Sequence, residues 1–284
     1  MSLYIGLDIG GTKFMAAAAT ANRKILRRIK APSPQALNQG LHLLKEMVTE
    51  VAAGEKIEGI GAAIGGPLNW RTGVVSPLHQ PEWRDVPLKE IMETEFRCPF
   101  NIDVDTNVAA LGEYYSYPNP PKSLLYITIS TGMGGGLVTG GRIYRGRKEE
   151  HPEIGHQSIN FRCSHPEKVI CECGAPDCLE ALVSGNGIRR IYGRPPENLD
   201  SRQWEEMAFN LGQGLRNLGA IYLPEVIVLG GGVALGGGEK LLTKVYSVMQ
   251  EHLKLVPAPQ LHLSRLGYDT ALVGAVYIAI HGNE

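Results

Sequence analysis

The stretch Tyr4-Ile5-Gly6-Leu7-Asp8-Ile9-Gly10-Gly11-Thr12-Lys13-Phe14-Met15-Ala16-Ala17-Ala18-Ala19-Thr20 decides which kind of α/β fold this chain can adopt. Tyr4 to Leu7 is a short apolar run, Asp8 to Lys13 a glycine turn, and Phe14 to Thr20 a second apolar run. Together they predict an antiparallel hairpin. Ile25 to Lys30 offers a third strand, Pro34 to Ala53 has apolar residues at helical spacing, and Ile57 to Ile64 reads as a buried strand entering Gly65-Gly66-Pro67. A hairpin followed by helix and strand is not the strand–helix–strand opening of a dinucleotide fold. It sets a flexible glycine loop at the mouth of a cleft.

Strand and helix patterns alternate through the rest of the chain. Leu68 to Asp85 reads as loop with Trp83 as its anchor, Leu88 to Phe96 as helix, Phe100 to Val104 as strand and Asn107 to Tyr114 as helix. Leu124 to Ser130 is a strand running into Thr131-Gly132-Met133-Gly134-Gly135-Gly136, and Val226 to Leu229 a strand running into Gly230-Gly231-Gly232. Helices are expected at Trp204 to Ile221, Lys240 to His252 and Ala271 to Ala279, with a short strand near Leu261 to Leu263. The polar, cysteine-bearing segment 151–182 has no clear period, and there is no tandem repeat.

A chain of 284 residues favours two lobes over one core. With 43% apolar and 20% charged residues it has the balance of a globular protein. A net charge of −1 supplies no basic field for nucleic acid or an acidic membrane, so neither is expected as a partner. No apolar run is long enough to cross a bilayer, and the N-terminus lacks the pattern of a secretory signal. A cytoplasmic location is therefore expected, and the five cysteines read first as metal ligands or core residues.

Each glycine turn can converge backbone N–H groups on phosphate oxygens. In the first, Asp8 stands beside Gly10, Gly11, Thr12 and Lys13, which suits a magnesium ion placed between carboxylate and phosphate, through waters. The second supplies the hydroxyl of Thr131 with Gly132 and Gly134, and the third offers Gly231 and Gly232 as bare backbone for a flat adenosine ring. For each turn alone, a plain structural bend is the competing reading. None has the P-loop spacing.

These residues resemble the ROK family of sugar kinases and sugar-responsive repressors, in the actin-like ATPase superfamily. The resemblance runs from Asp8-Ile9-Gly10-Gly11-Thr12-Lys13 to Asp269-Thr270-Ala271-Leu272-Val273-Gly274-Ala275. Its most specific part is Glu153-Ile154-Gly155-His156 followed by Cys171-Glu172-Cys173-Gly174-Ala175-Pro176-Asp177-Cys178-Leu179-Glu180. It implies two actin-like (ribonuclease H-like) α/β lobes with a cleft between them: 1–106 joined by a final helix at about 271–284, and 107–270 carrying a zinc-binding loop at 151–182. ATP would be held by the glycine turns and a hexose between the lobes, and homodimers are frequent among such proteins. Repressors carry a DNA-binding domain before the first strand, and three residues before Tyr4 leave no room for one, which favours the kinase branch.

The resemblance places the catalytic aspartate at Asp105, where a carboxylate can orient a sugar hydroxyl and accept its proton. A helix cap is the ordinary alternative for that residue. By the same resemblance Gly66, His79, Asp105, Glu153, His156 and Glu180 contact sugar. His156, Cys171, Cys173 and Cys178 form a four-ligand set for structural zinc, His156 serving zinc through one ring nitrogen and sugar through the other. A redox cysteine pair is the rival reading, and Cys163 is expected near the metal.

The sequence departs from the family pattern near the sugar. Val104 and His79 stand where asparagines are usual, and the run from His156 to Cys171 is longer than usual. Phosphorylation of the 6-hydroxyl of a hexose, with glucose first, is the leading expectation. Fructokinase, N-acetylhexosamine kinase and a non-catalytic sugar-binding regulator remain alternatives.

Overall fold

A computed structural model describes residues 2–283. In chain order the first elements are β1 (Ser2–Ile9), β2 (Lys13–Ala19), β3 (Ile25–Pro32), α1 (Leu37–Ala52), β4 (Lys56–Ile64), β5 (Leu68–Asn69), β6 (Val74–Val75), β7 (Val86–Pro87), α2 (Leu88–Phe96), β8 (Phe100–Val104) and α3 (Asp105–Tyr114). They are followed by β9 (Ser123–Ile129), β10 (Met133–Thr139), β11 (Arg142–Ile143), α4 (Leu179–Val183), α5 (Gly185–Tyr192), α6 (Ser201–Tyr222), β12 (Val226–Gly230), α7 (Gly231–His252), β13 (Gln260–Leu263) and α8 (Thr270–His281). The chain forms two compact units. The first runs to Tyr115 and takes in the chain again from Asp269, and Ser116–Tyr268 is the second.

The first unit is built on a sheet ordered β3-β2-β1-β4-β8. The hairpin β1–β2 is antiparallel, with Ile9 opposite Phe14, while β4 and β8 run parallel to β1. One face buries Leu3, Ile5, Leu7, Phe14, Ile60 and Phe100 together with α1 residues such as Leu44 and Val48. Trp83 is fully buried there, edge-on to Phe14 and close against Gly40, and so anchors the loop as expected.

The other face receives α8, and glycines set how closely it lies. A Cβ on Gly61 would stand 2.0 Å from the Ala275 carbonyl oxygen, and one on Gly59 2.6 Å from that of Ala279. Helix α3 meets α8 as tightly, with Gly274 against the Val108 carbonyl and Gly112 against that of Thr270. This contact corrects the expected boundary at 106. Helix α3 packs on α8 and belongs to the first unit, so the chain leaves that unit after Tyr115.

The second unit repeats the topology: its sheet is ordered β11-β10-β9-β12-β13, again a hairpin pair followed by two parallel neighbours. Leu125, Ile127, Ile227 and Leu229 from the sheet, Leu211 and Leu215 from α6, and Val245 and Met249 from α7 share its core. The β1–β2 turn and the β9–β10 turn therefore occupy the same topological position in their units. The recurrence is one of strand order, which a search for repeated residues does not detect.

Candidate active site and metal centre

In the first unit the β1–β2 turn is closed by the Gly10 N–H, which donates to the Lys13 carbonyl at 3.0 Å, while the Ser33 hydroxyl donates to the Gly10 carbonyl at 2.5 Å. Gly11 is pressed against His79, whose Cβ lies 2.9 Å from where a Gly11 Cβ would sit. Two sequence-predicted residues assigned to different ligands thus meet at one turn. Asp8 is the penultimate residue of β1, beside it. Burial first, then the charge of Asp105, pushes the Asp8 carboxyl up to about 7; Lys13 opposes this and Asp269 adds to it. Gly66 precedes a cis peptide to Pro67 and accepts the Leu78 N–H at 3.0 Å.

Asp105 is the first residue of α3, at the C-terminal end of the parallel strand β8. Its Oδ1 accepts the Thr106 N–H at 2.7 Å, yet Val104 holds the cap position and no side chain caps the helix. Behind it Asp103, 1% exposed, accepts the Val104 N–H at 2.7 Å and the Asn107 Nδ2 at 3.0 Å. That buried pair, four residues apart, fixes the strand-to-helix junction on which Asp105 stands.

In the second unit Ser130-Thr131-Gly132 joins β9 to β10. The Ser130 and Thr131 carbonyls accept the Gly185 and Asn186 amides at the start of α5, at 2.7 and 3.0 Å. Glu180 on α4 accepts the Met133 N–H at 2.8 Å. The following glycines serve packing: a Cβ on Gly135 would lie 2.3 Å from Ile154, and one on Gly155 2.7 Å from the Met133 carbonyl. Bare backbone on both sides lets the 153–156 segment lie directly on β10. Gly231, at φ +83°, packs against the Ile129 carbonyl and the Thr128 hydroxyl at the start of α7, while Gly232 is exposed.

His156, Cys171, Cys173 and Cys178 converge so that their ligand atoms all lie within 4.8 Å of one another. The His156 Nδ1 is 3.5 Å from the Cys171 Sγ, and the Cys173 and Cys178 sulfurs are 3.6 Å apart. A tetrahedral zinc–thiolate site needs sulfurs about 3.8 Å apart, so the donor set fits zinc. All five cysteines are unpaired. Burial pushes Cys178 up to about 12 and raises Cys171, whereas Cys173, with the Ala175 amide as its first support, is lowered. A divalent cation would reverse the cost at the two buried sulfurs by stabilising their thiolates. The His156 Nε2 lies 3.9 Å from Glu153, which also stands 3.5 Å from His151.

The ROK family model matches residues 4–281. This chain belongs to the ROK family. A ROK hexokinase from Thermus thermophilus is 33% identical, with 98% of this chain and 97% of that chain covered at a TM-score of 0.85. A ROK glucokinase from Streptomyces griseus, solved with glucose and AMPPNP, is 27% identical, covering 99% of this chain and 100% of that one at a TM-score of 0.82. A fructokinase from Zymomonas mobilis is 31% identical over 81% of this chain and 80% of its own length. The two-lobe actin-like fold is thereby shown.

Within this ROK chain, one sequence-predicted residue and one segment take different places. Gly134 is in β10, paired with Thr128, just past the bend at 130–132. The Gly231-Gly232 segment is not a separate turn but the start of α7, which runs on to a break at Gly238. Cys163 lies outside the four-ligand group, its Sγ accepting the His165 N–H at 3.4 Å. Sequence reasoning missed Asp103, Asn107 and Asp269. The first two carry an Asp-x-x-x-Asn spacing that could have found them, whereas Asp269 is brought to Asp8 only by the return of α8.

Proposed function

We propose that this protein is an ATP-dependent kinase of the 6-hydroxyl of a hexose, glucose first among them. The observation that carries the reading is Asp105 at a strand end, its charge felt by Asp8 beside the first glycine turn. Asp105 is the base that orients the sugar hydroxyl and accepts its proton. Gly10, Gly11, Thr12 and Lys13, with Thr131, Gly132, Gly231 and Gly232, form the nucleotide site. Gly66, His79, Glu153, His156 and Glu180 hydrogen-bond the sugar, the carboxylates and imidazoles matching its vicinal hydroxyls.

The excess acidity around Asp8 fits a hard divalent cation, and magnesium held there would neutralise charge on the phosphates. Zinc held by His156, Cys171, Cys173 and Cys178 would be structural, since four protein ligands leave no open position. No described helix is long and apolar enough to cross a membrane.

A second reading, fructokinase, is favoured by the 31% identity to the Zymomonas mobilis enzyme and by Val104, a buried apolar residue that can offer sugar no hydrogen bond. A coupled ADP-release assay over hexoses and N-acetylhexosamines separates the two. Glucose should give the highest kcat/KM, and Asp105→Asn should cut turnover by a factor on the order of 10²–10⁴ while nucleotide binding persists. Fructose preference establishes the second reading. ADP release that no sugar stimulates, or near-normal turnover by Asp105→Asn, refutes the assignment.

A further inference from the structure

The long run between His156 and Cys171 is laid along one face of α6. Glu206, Asn210 and Asn217 are spaced by four and by seven residues, which stacks them on that face. Asn210 is 2% exposed and bonded reciprocally to the backbone of Arg162: its Oδ1 accepts the Arg162 N–H and its Nδ2 donates to the Arg162 carbonyl, both at 2.8 Å. One side chain thus supplies what a neighbouring strand would.

Glu206 accepts the Ser164 N–H at 2.9 Å and the Tyr192 hydroxyl at 2.8 Å, and the Ser164 hydroxyl donates to its other oxygen. The Arg162 guanidinium lies over Phe209 at 3.6 Å from the ring centre. At the other end Asn217 donates to the Gln157 side chain at 3.1 Å. Gln157 in turn donates to the Ile154 carbonyl at 3.0 Å and accepts the Leu179 N–H at 2.9 Å. His156 is therefore flanked by a residue tied to α6, and the lengthened loop is tied to the same face at Arg162 and Ser164.

We propose that Asn210, with Glu206 and Asn217, is the positioning residue of the metal loop, holding His156 against the cysteine thiols and Glu153 and His156 in place for substrate. The sugar part of this inference rests on the kinase reading; the metal part does not. A buried amide whose partners are both backbone cannot be removed without leaving those backbone groups unpaired. The loss passes to the ligand loop, because the strands beneath have their own ladder bonds. Asn210 bonds no ligand itself and acts through the Arg162 backbone, so its effect belongs at the low end of the 10–100-fold that direct partners of metal ligands commonly govern.

The test compares the parent with Asn210→Ala and Asn210→Asp as zinc-loaded, folded proteins. Release of zinc to a chromogenic chelator is followed together with kcat and KM for the best hexose and KM for ATP. Asn210→Ala should release zinc roughly tenfold faster and raise the hexose KM roughly tenfold, with the ATP KM unchanged. Asn210→Asp keeps the acceptor but sets a buried carboxylate oxygen against the Arg162 carbonyl, so it should release zinc at least as fast as Asn210→Ala. Equal rises in the hexose and ATP KM would indicate general loosening and overturn the proposal. So would unchanged zinc release and hexose KM. Should Asn210→Ala not fold, Ser164→Ala and Asn217→Ala, which each remove one loop bond to α6, bear the same comparison. Should no sugar be turned over by the parent, the kinase reading fails and zinc release alone decides.

Discussion

Asp8 is the side chain whose ionisation this fold opposes most clearly at neutral pH. Its carboxyl ordinarily titrates at 3.8 and is pushed up to about 7 by burial and by Asp105, with Asp269 adding to the effect. Because the folded state holds the proton to higher pH than the unfolded chain, its contribution to stability is fully present below 3.8, declines as pH rises toward about 7, and is flat above. Asp8→Asn should remove that decline. The variant should be more stable than the parent at pH 8 without divalent ions, by an amount on the order of 2 kcal/mol after screening, and the gap should narrow at pH 5. Thermal melts at the two pH values check this, and a variant no more stable at pH 8 would contradict the assigned strain. On the kinase reading, magnesium added with ATP should narrow or reverse that gap, because a cation favours the charged carboxylate and has less to bind in the amide. Asp8 and Asp105 were legible because each stands where an apolar strand gives way to turn or helix-start residues. Asp269 sits in a quoted motif but was given no role, since its relation to Asp8 depends on a contact across most of the sequence.

Helices and strands in this chain are positioned by where glycine removes a side chain. In α8, a Cβ on Gly274 would fall 1.9 Å from the Val108 carbonyl of α3, a backbone atom that cannot swing aside. In α7, a Cβ on Gly236 would meet nothing within 4 Å. Alanine gains about 1 kcal/mol over glycine within a helix, while overpacking costs about 1–3 kcal/mol or more. Gly274→Ala should therefore lower the melting temperature and Gly236→Ala leave it unchanged or raise it, a comparison that differential scanning calorimetry makes directly. The strands at 57–64, 100–104 and 226–229 were readable because buried parallel strands are short apolar runs. Strand β10 was not, because Gly134, Gly135 and Gly136 read as a turn until Gly135 is seen to make room for Ile154. Helices α4 and α5 were missed for a related reason: they follow a cysteine-rich segment whose order comes from ligand convergence and from α6, neither of which leaves a period in the sequence.

At the scale of the whole molecule, each unit carries its own sheet and its own apolar core, and the His/Cys group that could hold a metal belongs entirely to the second. Stability supplied by the metal should thus be local to that unit. The loop that carries these ligands has little regular structure; between His156 and Cys178 there is a single short 3₁₀ turn and one isolated bridge, Ser158 to Cys178. With few ladder bonds of its own, the segment depends on the ligand set and on α6. Stripping the metal with a chelator at neutral pH should therefore accelerate amide exchange across 153–183 and reach the β9–β10 turn through Glu180, whose oxygen holds the Met133 N–H. Binding at a hundredfold excess over the dissociation constant is worth about 2.7 kcal/mol, so the melting temperature of the second unit should fall measurably while β1 and β4 amides keep their protection. Hydrogen exchange resolved by peptide, before and after chelation, tests both halves of that expectation. Protection lost equally in both units would mean that they unfold as one, and unchanged exchange across 153–183 would mean that α6 alone suffices to order the loop.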